Sequence, residues 1–130
     1  MNLCDIKTVK QVMGMFHLTF RKEFGQNFLI DQTVPEDIAD ACADQQDMLI
    51  LEIGPGIGCL TQELALRYTR VVAIEIDNGL IPVLSKTMAE YDNVRIVHGD
   101  VMKIDLAALI AEEAGGREVA VCANLPYYIT

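Results

Sequence analysis

The sequence lacks the usual patterns of metal and redox chemistry. Its four cysteines, Cys4, Cys42, Cys59 and Cys122, form no C-x-x-C pair, and its two histidines, His17 and His98, stand apart. This argues against a zinc site or a dithiol motif. It suits reduced thiols packed as small apolar groups in a cytosolic protein. Long hydrophobic runs are missing too: none approaches the ~20 residues that span a bilayer. Residues 1–10 mix charge with apolar side chains and have no continuous apolar stretch, so they do not read as a signal peptide. Positive charge is scarce. Ten Lys and Arg face 19 Asp and Glu, for a net charge of −9. Phosphate contacts need Lys and Arg, so this balance counts against a nucleic-acid surface spread over the chain.

What remains is a chain of 130 residues, 52% hydrophobic, sized for one packed domain. It is organised around Leu49-Ile50-Leu51-Glu52-Ile53-Gly54-Pro55-Gly56-Ile57-Gly58. A short Ile/Leu-rich run stopped by Gly-Pro-Gly predicts a buried strand. Beyond Gly58, the spacing of Leu60, Leu64 and Tyr68 predicts a helix. The glycines therefore fall where a strand turns into a helix. There a missing Cβ lets backbone approach a ligand, and the helix start offers free N–H groups. A dinucleotide fingerprint would place its third glycine at Cys59, and a phosphate loop would need Gly-Lys-Ser/Thr. Neither pattern is present. E-x-G-x-G-x-G instead resembles motif I of the S-adenosylmethionine-dependent methyltransferases; a dinucleotide enzyme and a merely tight turn stay open on this stretch alone.

The flanking segments read as βα repeats. Ile6, Val9, Met13 and Phe16 are spaced for a short amphipathic helix, weakened by Gly14. Residues 21–31 (RKEFGQNFLID) show no period and read as either a docked loop or a lid with Gln26 and Asn27 as polar contacts. Thr33-Val34-Pro35-Glu36 has capping-box spacing, which predicts a helix to about Cys42 with Val34, Ile38, Ala41 and Cys42 inward. Residues 70–77 read as a second strand. Glu75 lies about twenty residues past the glycine turn, where a ribose-binding acid belongs, and Asp77 suits a helix N-cap. The next helix carries Pro82 in its first turn and Leu80, Leu84, Met88 and Tyr91 on one side. Residues 94–98 form a third strand, leading to Asp100 as either a turn residue or an acceptor for an adenine amino group. A helix with Leu106, Leu109, Ile110 and Ala114 stops at Gly115. Residues 118–123 form a fourth strand that runs into Asn124-Leu125-Pro126-Tyr127.

Alternating strands and helices predict an α/β fold with a parallel sheet. Ligands bind such sheets outside the carboxyl ends of the strands, where Gly54, Glu75, Asp100 and Asn124 all fall. N-L-P-Y has the form found in methyltransferases acting on exocyclic amino groups. Acceptors from Asn124 and from the Leu125 or Pro126 carbonyl would localise the nitrogen lone pair, and Tyr127 would stack on an extruded base.

F-G-Q-N-F-L at residues 24–29, the turn at 51–58, I-E-I-D at 74–77, Gly99-Asp100 and N-L-P-Y at 124–127 together resemble the ribosomal RNA adenine dimethyltransferases over about residues 20–130. The resemblance implies a Rossmann-like, S-adenosylmethionine-dependent methyltransferase fold. It implies N6,N6-dimethylation of adenosines in small-subunit (16S) rRNA, with that rRNA or a 30S precursor as partner. It also implies cofactor contacts from Asn27, Leu29, Gly54, Gly56, Glu75, Asp100 and Asn124, with Asn124, Leu125, Pro126 and Tyr127 as the catalytic motif and no metal. Residues 1–30 would be an N-terminal segment and lid loop, and residues 31–130 the βα repeats. The family has further sheet and a small helical domain after N-L-P-Y. The chain thus looks like an N-terminal part, truncated after the fourth strand, whose raw sheet edge could pair with another copy. A catalytically inactive cofactor-binding fragment, a DNA amino-methyltransferase and a dinucleotide oxidoreductase are the alternatives.

Overall fold

The computed structural model describes residues 2–16 and 32–123. Among these, helix α1 spans Ile6–Met15, α2 Thr33–Ala41, α3 Cys59–Arg67, α4 Ile81–Thr87 and α5 Leu106–Glu113. The strands are β1 Met48–Ile53, β2 Arg70–Glu75, β3 Val94–His98 and β4 Glu118–Ala123. They form one sheet in the order β3-β2-β1-β4, with every pairing parallel. The chain steps outward from β1 to β2 to β3, then returns across the sheet to place β4 on the far side of β1. That reversal is where α/β sheets open a ligand crevice.

Side-chain alternation sorts the sheet into two faces. Leu49, Leu51, Val72 and Ile74 pack against Leu109 and Ala114, under α5. Met48, Ile50, Val71 and Cys122 pack on the other face against Ala39, Leu60, Leu64 and Tyr68, under α2 and α3. A third cluster joins Leu3, Val9, Val12 and Met13 of the N-terminal segment to Ile57, Cys59, Val83 and Met88. Helix α1 therefore packs directly on the glycine turn. Its N-cap is Asp5, whose side chain accepts from the Thr8 N–H. No helix among the described residues is long and apolar enough to cross a membrane.

The helix and strand assignments agree with the sequence reading except around α2, at the end of β2 and in α4, which spans only Ile81–Thr87 and leaves Leu80, Met88 and Tyr91 outside the helix. Thr33 is the first helical residue, and the N-cap is Gln32, with no side-chain cap bond; the expected capping box does not form. Pro35 and Ala39 are the buried positions of α2, Ile38 and Cys42 pack half-buried against the same cluster as expected, and Val34 and Ala41 face solvent. The reason is Tyr68, whose hydroxyl donates to the Ala39 carbonyl at 2.6 Å and draws that small residue onto the sheet. Strand β2 ends at Glu75 rather than Asp77. Asp77 instead caps a short 3-10 turn, Asn78–Leu80, by accepting from the Gly79 N–H at 2.9 Å.

Candidate cofactor crevice

The candidate residues meet at the carboxyl ends of the strands. In register, Ile53 of β1 lies beside Ile74 of β2 and Ala123 of β4, and Glu75 lies beside His98 of β3. The glycine turn leaves β1 with Gly54 at φ 68°, Gly56 at φ 63° and Gly58 at φ 103°. These left-handed values suit glycine and strain other residues. The Gly54 N–H continues the sheet by donating to the Ile74 carbonyl at 3.0 Å. Gly58 is the N-cap of α3, and its carbonyl accepts the Gln62 N–H at 2.9 Å. Thr87 of α4 supports the turn from behind, its hydroxyl donating to the Ile57 carbonyl at 2.8 Å.

Glu75 ties the turn to the next strand. One carboxylate oxygen accepts the Gly56 N–H at 3.0 Å and the other accepts the Asp77 N–H at 2.9 Å. Its backbone carbonyl accepts the Gly99 N–H at 3.0 Å, which holds the β3 tip on the same rim. Asp100 follows directly; its side chain accepts the Met102 N–H at 2.9 Å and its carbonyl accepts the Lys103 N–H at 2.8 Å. It therefore serves as a turn residue in this structure. His98 is exposed, with Nε2 3.3 Å from the Ile76 carbonyl oxygen. Gly54, Gly56, Glu75 and Asp100 are thus brought to one end of the sheet. Asn27 and Leu29, and Asn124, Leu125, Pro126 and Tyr127, lie outside the described residues; β4 ends at Ala123 beside Ile53.

The sequence reading passed over the interior of this rim. Glu52 is 1% exposed and shares a hydrogen bond with the fully buried Thr61 of α3. Burial pushes the Glu52 carboxyl up to about 8, against the Thr61 bond and with help from the nearby Glu75 charge. A threonine on the apolar face of a helix, next to Leu60 and Leu64, was the available signal. Burial likewise pushes the Cys122 thiol up to about 12 and the Cys59 thiol higher still. Such thiols are packing groups rather than nucleophiles. Cys59 Sγ also donates to the Leu3 carbonyl at 2.7 Å, which fastens the N-terminal segment to the turn.

A four-stranded parallel sheet, a glycine turn after its first strand and an acid at its second strand tip define a Rossmann-like fold of the S-adenosylmethionine-dependent methyltransferase type. Solved structures agree. The 23S rRNA methyltransferase ErmE superposes with a TM-score of 0.57 at 23% identity, over 75% of this chain and 48% of that one. A dimethyladenosine transferase from Plasmodium falciparum superposes with a TM-score of 0.59 at 27% identity, over 77% of this chain and 34% of that one. The family described as Ribosomal RNA adenine dimethylase matches residues 17–130, and the chain belongs to that family.

Curated relatives named Ribosomal RNA small subunit methyltransferase A are similar over nearly the whole chain. The one from Alkaliphilus metalliredigens is 51% identical over 121 residues, 93% of this chain and 42% of the relative. The one from Geobacillus thermodenitrificans is 51% identical over 130 residues, 97% of this chain and 44% of the relative. The chain thus spans less than half the length of these relatives.

Proposed function

We propose that this chain carries the cofactor crevice and the N-L-P-Y motif of an S-adenosylmethionine-dependent rRNA adenine N6,N6-dimethyltransferase acting on small-subunit rRNA. The observation that carries this reading is the junction of Gly56 and Glu75 on the rim of a chain of the rRNA adenine dimethylase family. The residues fit the cofactor. A carboxylate has about four acceptor sites, and Glu75 has one N–H on each oxygen, which leaves room for two ribose hydroxyls. Gly54 is exposed on the rim with no Cβ to obstruct a bound molecule.

S-adenosylmethionine would supply a methyl group on a sulfonium, already a strong electrophile. The chain's own work is then placement. Gly54 and Gly56 would admit the methionine portion, with Asn27 and Leu29 from the N-terminal segment over it. Glu75 would hold the ribose and Asp100 the adenine of the cofactor. Asn124 and the carbonyl of Leu125 or Pro126 would accept the two N–H groups of the target amine and localise its lone pair. Tyr127 would stack on the base. Alignment of nitrogen with the methyl group supplies most of the acceleration, so no strong base is required.

Calorimetry of the chain with S-adenosylmethionine and with NAD tests the cofactor reading. Binding of the first and not the second is expected, and the reverse preference would overturn it. Methyl transfer to unmethylated 30S particles tests the activity. A second reading is favoured by the length relation: a chain spanning 42–44% of its relatives binds cofactor but turns over weakly or not at all. Turnover equal to that of a longer relative would exclude the second reading.

A further inference from the structure

We propose that Glu52 is a positioning residue for the crevice: buried at the end of β1, it accepts the Thr61 hydroxyl, clamps that strand to the first turn of α3 and so fixes the glycine turn between them. The inference rests on the cofactor reading above. Glu52 and Thr61 are nine positions apart, and the residues between them are the turn itself. Three of those residues are glycines in left-handed backbone. Such a segment has many alternative conformations to lose, so its order depends on restraints at its ends. Glu75 restrains the middle through the Gly56 N–H. The Glu52–Thr61 bond is the restraint that joins the two flanking elements.

The surroundings keep the carboxyl neutral. On the sheet, Glu52 lies in register between Ala73 of β2 and Cys122 of β4. The titratable groups that face it are Glu75 from β2, Cys42 at the end of α2, Cys59 of α3 and Cys122 of β4. No salt bridge reaches it among the described residues. A buried carboxylate without a cation is costly, and its charge would repel the Glu75 carboxylate that holds Gly56. Ionisation therefore sets a buried charge against the restraint at Gly56, even as it strengthens the bond accepted from the Thr61 hydroxyl.

The test compares the native chain with Glu52→Gln, Glu52→Leu and Thr61→Val. Glutamine keeps an acceptor for Thr61 and cannot ionise. Affinity for S-adenosylmethionine is measured across the pH range around 8, where Glu52 titrates. Hydrogen exchange of residues 54–58 is followed in the ligand-free chain. Native affinity is expected to hold at neutral pH and then fall by about tenfold per pH unit on the alkaline side, the slope for one proton. Glu52→Gln is expected to bind at neutral pH without that decline. Glu52→Leu and Thr61→Val are expected to exchange the turn amides faster at every pH. Identical pH profiles for native and Glu52→Gln chains would overturn the proposal, as would native protection of the turn in Glu52→Leu. If the native chain binds no S-adenosylmethionine at any pH, the cofactor reading fails, and the exchange comparison still decides the role of Glu52.

Discussion

Gly56 donates its backbone N–H to Oε1 of Glu75 at 3.0 Å, so one side chain links the glycine turn to the tip of the adjacent strand. The second oxygen is held by the Asp77 N–H. Both donors are backbone groups on different loops, and together they fix the carboxylate before any ligand arrives. A preorganised acceptor costs less to order on binding.

Glu75→Gln tests this arrangement. Glutamine has one acceptor oxygen, and its amide would confront a backbone donor with a donor. Glu75 is 5% exposed, so the orphaned N–H should cost about 1–3 kcal/mol. Urea unfolding should show that loss, and calorimetry should show S-adenosylmethionine affinity falling by more than about tenfold, the equivalent of ~1.4 kcal/mol. Unchanged affinity would remove Glu75 from the crevice.

Two glycines should respond in opposite directions. At Gly58 the backbone has φ 103°, and an added Cβ would sit 2.8 Å from Met88 Cε. Gly58→Ala should destabilise by about 1–2 kcal/mol from the left-handed backbone alone. At Gly14, inside α1, an added Cβ meets nothing within 4 Å. Gly14→Ala should stabilise by about 0.5–1 kcal/mol. Thermal unfolding of both variants checks the contrast.

These positions show what was legible in the sequence. Strand bounds β1, β3 and β4 follow from β-branched and aliphatic runs stopped by glycine or polar residues, and the structure keeps them. The helix after the glycine turn is equally plain, because Leu60, Leu64 and Tyr68 leave one choice of face. The face of α2 was not legible. Hydrophobicity ranks Val34 above Pro35, yet the contact that decides the rotation is a hydroxyl 29 positions away in sequence, on Tyr68. The acids at the strand tips were visible as residues, but which are buried was not. Glu52 and Glu75 are both buried. Only Glu75 has a backbone donor on each carboxyl oxygen, a distinction made by tertiary geometry.

Stability should depend on pH with two opposite signs. Glu52 has its carboxyl raised to about 8 in the fold. Its contribution is fully present below the ordinary carboxylate range and is lost as pH rises through about 8. Glu113 is the reverse case: the Arg70 guanidinium, with Arg95 beside it, holds its carboxyl below the usual range. That contribution is present above the ordinary carboxylate range and is lost as pH falls through the lowered value. Chemical unfolding across pH should therefore give a curve that falls on both sides. Glu52→Gln should flatten the alkaline side and Glu113→Gln the acid side. A curve unchanged by either substitution would refute the assignment.

The arginines bear on how the proposed rRNA contact would be made. Every arginine among the described residues faces a carboxylate. Arg67 lies 2.8 Å from Glu63 and also pairs with Asp40; Arg70 lies 2.7 Å from Glu113, Arg95 2.7 Å from Glu113 and Arg117 2.7 Å from Asp47. A phosphate would have to displace these partners. Residues 1–22 hold Lys7, Lys10, Arg21 and Lys22, four of the ten cations, with one acid, Asp5, in the same stretch. If these four carry the phosphate contacts, the slope of log affinity against log salt should be about −3 or shallower for single-stranded RNA, at ~0.7 per phosphate. Replacing Lys7 and Lys10 by glutamine should reduce that slope by about 1.4. Arg70→Ala should leave the slope untouched and lower stability by about 1 kcal/mol, because Glu113 loses a partner at a site only 10% exposed. Filter binding at several salt concentrations separates the two outcomes. A steeper slope, or one that Arg70→Ala reduces, would mean that RNA does displace the internal carboxylates.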